Sequence, residues 1–155
     1  MRLLLQRASQ AELRIGESVH ARIGPGLVIL AGFGAEDTLE LPDSKTWQSM
    51  IGKALGLRIF PDDQGKMNLG IEEFGGEILL VSQFTLYADC RKGRRPSFTA
   101  AAPPDLAEAL FHKLVADVAE KSPVPVKSGV FQAEMHVGLV NWGPVTISLD
   151  SDMFA

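Results

Sequence analysis

Two short runs constrain this chain more than anything else in it: Leu27-Val28-Ile29-Leu30-Ala31 and Ile78-Leu79-Leu80-Val81. A strand that faces water on one side alternates apolar with polar residues. A run with no such alternation belongs to a strand buried in the interior, and Leu27 to Ala31 is apolar enough to be covered on both faces. The layers that cover these strands have to come from elsewhere in the chain.

Two amphipathic stretches supply them. Trp47, Met50, Ile51, Ala54 and Leu55 recur at helical spacing, with Asp43 or Ser44 as the N-cap and Gly56 as the stop. Pro103-Pro104-Asp105 opens a second helix, whose stripe is Leu106, Leu110, Leu114 and Val118, widened by Phe111 and Val115, and which ends between Lys121 and Pro125. The remaining segments read as strands. They are Met1 to Ala8, a hairpin of Glu12 to Ile15 with Val19 to Ile23, Leu57 to Phe60 before a Pro61–Gly65 turn, His136 to Val140, and Val145 to Asp150. Asn141-Trp142-Gly143-Pro144 reads as a tight turn between the last two. The expected fold is α/β, with mixed β-sheets under a helical layer and two main helices.

Nearly half the residues are apolar and under a quarter are charged, and no linker or repeat interrupts the 155 positions, so residues 1–155 read as one domain. MRLLLQRASQAELRIG holds only a three-residue apolar run between charges. It reads neither as a signal peptide nor as a membrane span, which makes a cytoplasmic location the expectation. The net charge of −4 argues against a chain that coats nucleic acid. A local cationic patch does exist at Arg91-Lys92-Gly93-Arg94-Arg95, and it suits either a solvated loop or a phosphate contact.

Catalytic equipment is scarce. The single cysteine, Cys90, excludes an internal disulfide and any multi-cysteine zinc site. His20, His112 and His136 fall in three separate elements with no paired spacing, so no metal or other cofactor is expected. The glycines at 24, 26, 32 and 34 complete no phosphate-binding motif. Ser82 lacks the flanking glycines of a nucleophile elbow. The polar residues that close the second apolar run, Ser82-Gln83-Phe84-Thr85, are therefore left as either nucleophiles or binding groups.

Those residues also carry a resemblance. Met1-Arg2 with Gln6-Arg7, Leu57-Arg58-Ile59-Phe60 with Gly65-Lys66-Met67-Asn68, Val81-Ser82-Gln83-Phe84-Thr85-Leu86, Gly93-Arg94-Arg95-Pro96-Ser97-Phe98 and Gly143-Pro144-Val145-Thr146 match, nearly end to end, the pattern of D-aminoacyl-tRNA deacylases of the bacterial and eukaryotic type. The resemblance implies a homodimeric esterase of β/β/α layers that removes D-amino acids, and glycine misattached to alanine tRNA, from the tRNA 3′ end. It implies that Gly143-Pro144, joined by a cis bond, enters the partner subunit's active site, where its carbonyls accept from the substrate amino group and exclude an L side chain. Arg7 would hold that loop. Ser82, Gln83, Phe84 and Thr85 would form the ester-binding wall, with Phe131 and Met135 around the terminal adenine and Arg94 and Arg95 on the tRNA. Phe131 and Met135 equally suit an ordinary core.

The chain departs from the family pattern at three places. Trp142 stands where Asp is usual, Phe131-Gln132-Ala133-Glu134-Met135 replaces Phe-Gly-Ala-Asp-Met, and Cys90 replaces Thr or Ser. Trp142 bears on selectivity, through the loop's pose or through packing on the partner subunit. With no base or metal in view, the expected mechanism positions the ester, stabilises its oxyanion with donors near Gln83 and Phe84, and uses the substrate's 2′-hydroxyl. Thr85 as a covalent nucleophile is the competing mechanism. A tRNA- or nucleotide-binding module without catalysis is the competing function. In strict alternation Ser82 and Phe84 would share one face, and Gln83 and Thr85 the other.

Overall fold

The computed structural model describes residues 1–154. In chain order its elements are β1 (Arg2–Ile15), β2 (Ser18–Ile23), β3 (Gly26–Gly32), α1 (Lys45–Gly56), β4 (Phe60–Pro61), β5 (Met67–Leu69), α2 (Ile71–Phe74), β6 (Glu77–Ser82), α3 (Pro104–Lys121), β7 (Val126–Ser128) and β8 (Met135–Asp150). Five strands run in the order β2-β1-β3-β6-β7, and β8 pairs with β1 to complete a six-stranded, nearly closed sheet. β3, β6 and β7 are mutually parallel, each joined to the next by a helical crossover, while β1 is antiparallel to β2, β3 and β8.

The two apolar runs form the buried parallel pair β3 and β6. Leu27, Ile29, Ala31, Ile78 and Leu80 face one hydrophobic cluster, which α1 and α3 cover with Trp47, Met50, Ile51, Leu110, Phe111 and Leu114. Val28, Leu79 and Val81 face a second cluster, closed by Ala11 and Leu13 of β1 and by Ala21 and Ile23 of β2. Full burial of each such side chain contributes about 1.5–3 kcal/mol. Ser44 caps α1 by accepting from the backbone N–H of Trp47 at 3.1 Å. Pro104 occupies the first turn of α3, where its missing N–H costs nothing. The two long helices are locked together where Trp47 Nε1 donates to Asp117 Oδ2 at 2.8 Å, and Lys113 pairs with the same carboxylate.

Four expectations need correction. Met1 to Ala8 and Glu12 to Ile15 are not separate strands but the two halves of β1, one bonded to β3 and the other to β2. Their facing parity differs because the ladder with β8 slips between Ala8 and Gln10: Leu3 and Leu5 point to the helical side, Ala11 and Leu13 to the second cluster. Asn141 to Pro144 is not a hairpin turn. It is a bulge inside β8, where β8 advances five residues, from Asn141 to Thr146, while β1 advances two, from Gln6 to Ala8. Leu57 to Ile59 form no strand, since only Phe60–Pro61 pairs, with Met67–Leu69; the Ile59 carbonyl is taken instead by Arg7 Nη1. The short helix α2, capped by left-handed Gly75, is a third helix that the periodicity did not reveal.

Candidate active site

β6 ends at Ser82 because Gln83 turns out of the sheet, its N–H still donating to the Ala31 carbonyl at 2.7 Å. Phe84–Tyr87 then coil into a 3₁₀ turn. The alternation expected across Ser82 to Thr85 is therefore wrong: the strand does not continue, and Gln83 and Thr85 meet through a turn. Gln83 Nε2 donates to Thr85 Oγ1 at 2.6 Å, which leaves the hydroxyl proton free to point elsewhere. The first bond inside the turn runs from Leu86 N–H to the Gln83 carbonyl. The N–H groups of Phe84 and Thr85, at its start, have no carbonyl one turn back to receive them.

A cavity of about 460 Å³ opens beside this strand end, between the start of α3 and the segment leading into β8. Ser82, Gln83 and Phe84 form one wall, and Phe131, Gln132 and Met135 form the opposite one. Phe131 is tied back to the core by Phe111, with ring centroids 6.2 Å apart. Met135 lies over Gly129, where an added Cβ would stand 2.6 Å from its Sδ. Gln132 sits at φ +60°, a left-handed conformation that suits the glycine usual at this place better than a Gln. Among the described residues, none that lines the cavity titrates, and no group of three His, Cys, Asp or Glu side chains is placed to hold a metal.

Thr85 joins this wall only through Gln83. Phe84 is exposed and meets Phe98 edge-on at 5.0 Å, which roots the basic loop beside the cavity mouth. That loop is closed by the paired Asp89 and Ser97 backbones. Arg91 binds its own neighbour Asp89 at 2.7 Å, holding that carboxyl down to about 2 through the guanidinium bonds. Arg94 and Arg95 are exposed, off the cavity wall, with no ion pair among the described residues.

Gly143 and Pro144 are not part of this cavity. The Gly143–Pro144 bond is cis, with Gly143 at φ +133°, and both residues are exposed on the β8 bulge. Through the strand register the bulge lies at the level of Arg7, Leu27 and Ile78, whereas the cavity begins at Val81. Three residues of strand separate the two levels, about 10 Å along the strand direction. Asn141 staples the base of the bulge, its Oδ1 accepting from Val145 N–H and its Nδ2 donating to Thr146 Oγ1, both at 2.8 Å. Arg7 braces the tip. Its Nε donates to the Trp142 carbonyl at 2.7 Å, its Nη1 to the Ile59 carbonyl, and its guanidinium lies 4.7 Å from the Trp142 ring centre. Trp142 is thus packed on its own chain, against Arg7 and Phe74. The contribution of Trp142 and Phe74 had no signal in the sequence beyond the missing Asp.

On a mixed α/β scaffold, a polar strand end thus walls a cavity that no acidic or basic side chain lines among the described residues. The family model described as D-Tyr-tRNA(Tyr) deacylase matches residues 4–150. D-aminoacyl-tRNA deacylases of Nitratidesulfovibrio vulgaris and Thermotoga petrophila are 56% and 50% identical, each over 97% of this chain and covering 93% and 97% of theirs. The solved structure of a c-Myc DNA Unwinding Element Binding Protein superposes with a TM-score of 0.87 at 35% identity, over 97% of this chain and 98% of that one. A second solved structure, described as that of a "probable eukaryotic D-amino acid tRNA deacylase", shares the fold at a TM-score of 0.79 and 22% identity, over 96% and 97% of the two chains. The chain belongs to the D-Tyr-tRNA(Tyr) deacylase family. Its activity is that of an ester hydrolase acting on D-aminoacyl-tRNA. No helix among the described residues is long and apolar enough to cross a membrane.

Proposed function

We propose that the cavity holds the aminoacyl ester at the 3′ end of tRNA and that hydrolysis needs little side-chain chemistry. The observation that carries this reading is the cavity wall itself: a strand end with backbone donors and hydroxyls, and no titratable residue beside it. The Phe84 and Thr85 N–H groups, with Gln83, supply an oxyanion site, and preorganised donors of this kind are worth about 3–4 kcal/mol in the transition state. The terminal adenosine lies between Phe131 and Met135, so that its 2′-hydroxyl reaches the ester and assists attack. Arg94 and Arg95 meet backbone phosphates on the way in.

Selectivity, in this reading, comes from a second copy of the chain. The Gly143–Pro144 bulge is exposed, braced from two sides and remote from its own cavity, which supports its insertion into the partner's cavity in a homodimer. Backbone carbonyls there accept from the substrate amino group and leave no room for an L side chain. Glycine has no side chain to exclude, so glycyl-tRNA(Ala) is a substrate by the same geometry. A cytoplasmic location follows from the substrate.

The test is single-turnover deacylation of D-aminoacyl-, glycyl- and L-aminoacyl-tRNA, with a tRNA ending in 2′-deoxyadenosine as the decisive arm. Loss of the 2′-hydroxyl is expected to slow D-ester hydrolysis at least about a hundred-fold, near the lower end of general acid–base contributions. Thr85→Ala is expected to retain turnover. A trapped acyl-enzyme on Thr85, abolished by Thr85→Ala, would overturn the reading. The DNA-binding name of one relative favours a single alternative, a nucleic-acid-binding module without turnover. Binding of D-aminoacyl-tRNA with no release of amino acid is the outcome that would support it.

A further inference from the structure

The bulge that carries Gly143 and Pro144 is tied to the core by a column of rings. Phe60 is fully buried and stacks on Phe74, with centroids 4.6 Å apart and planes 16° apart. Phe74 meets Trp142 at 5.8 Å, and Trp142 in turn meets the Arg7 guanidinium at 4.7 Å. Arg7 is only 7% exposed and no carboxylate pairs with it among the described residues. Burial pushes its pKa down, as it does for any cation taken out of water without a counter-charge. Its electrostatic partners are two carbonyl oxygens, those of Trp142 and Ile59, and the negative face of the Trp142 ring. Trp142 therefore meets Arg7 twice, through its carbonyl and through its ring, and the next residue in the chain is Gly143.

We infer that Trp142 is a positioning residue for substrate selection: its ring is a partner of the otherwise unpaired Arg7 guanidinium, and so holds Gly143 in the pose that excludes L-aminoacyl esters. The inference rests on the selecting role given above to the Gly143–Pro144 bulge. Exclusion is a matter of clearance, so a bulge freed to shift admits the unwanted side chain before it loses the wanted substrate. A residue at 142 that only fills space leaves Arg7 without its partner. Either a ring face or a carboxylate supplies one.

The experiment measures kcat/KM for D-tyrosyl-tRNA and L-tyrosyl-tRNA on four proteins, the unsubstituted chain, Trp142→Leu, Trp142→Phe and Trp142→Asp, with the urea midpoint of each. Trp142→Leu is expected to lower the D-over-L ratio on the order of ten-fold, the size of one cation–π contact at a desolvated site, chiefly by raising L-ester hydrolysis. Trp142→Phe and Trp142→Asp are expected to restore the ratio, although they differ from each other in volume and polarity. Mere packing would not rank the variants in that order. Phe74→Leu removes the support behind the ring without touching Trp142 and is expected to relax the ratio too, which keeps the test decisive if Trp142→Leu does not fold. A wild-type ratio in both Leu variants, or a folded Trp142→Asp that fails to recover it, would overturn the inference. Gly143→Ala separates the two readings: if it leaves discrimination intact, the selecting role of the bulge falls; if it destroys discrimination while the Leu variants do not, only the role of Trp142 falls.

Discussion

At Gly143 the backbone and the surroundings impose the same residue. Its φ of +133° is closed to L side chains, and an added Cβ would stand 2.7 Å from Arg7 Nη2 and 2.9 Å from Val145 Cγ2. Gly143→Ala must therefore push Arg7 away or reshape the bulge. The strained backbone angle sets the expected cost in stability at about 1–3 kcal/mol, whereas D-ester turnover in a single-turnover assay falls at least about a hundred-fold. Gln132 presents the opposite case. It holds φ +60° with a side chain, so Gln132→Gly relieves roughly 1 kcal/mol of backbone strain while adding disorder to the unfolded chain. Urea denaturation is expected to show a change between zero and about 1 kcal/mol in the stabilising direction. The glycine usual at this place hinted at such a backbone, but the left-handed angle is visible only in the fold.

Among the elements, α1 and α3 were legible because their apolar spacing repeats over three turns or more. Their join was not, since Trp47 and Asp117 are seventy positions apart. Burial raises the Asp117 pKa, but the bonds from Lys113 and Trp47 outweigh it and leave the pKa lowered. A carboxyl whose folded pKa lies below its unfolded value contributes stability that is fully present above the unfolded pKa, near 4, and is lost as pH falls through the folded one. Unfolding free energies between pH 6 and pH 2.5 should thus decline on the acid side, and Asp117→Asn should flatten that decline. Asp117→Ala, which strands the buried Trp47 N–H, is expected to cost about 2–3 kcal/mol at pH 7. The β8 bulge failed the same legibility test for a different reason: Asn-Trp-Gly-Pro has turn composition, and nothing local says that both flanking strands pair with one partner, β1.

For the whole molecule, the proposed exchange of bulges between two copies makes a prediction that neither chain makes alone. Gly143→Ala disables the bulge, and Ala133→Trp fills the cavity that Ala133 helps to line. Mixed in equal amounts and allowed to exchange subunits, the two inactive proteins are expected to recover about a quarter of wild-type D-ester activity, because half the dimers are mixed and each mixed dimer has one intact site. A bulge that served its own chain would give no recovery. The two buried strands and the polar close of β6 were readable from the sequence; that the two strands pair in parallel came only with the fold.

The sequence by itself determined which strands are buried, where the two long helices lie, and that Ser82 to Thr85 end a strand in polar groups, since each of these depends on residues near one another in the chain. Tertiary structure alone decided that β6 stops at Ser82 and coils, that β1 and β8 are continuous, and that Ile59 meets Arg7 and Phe74 meets Trp142 behind the bulge that carries Gly143. Those outcomes depend on which distant carbonyl, ring or strand edge is within reach. Local periodicity carries no record of such partners, because they come together only when the sheet closes.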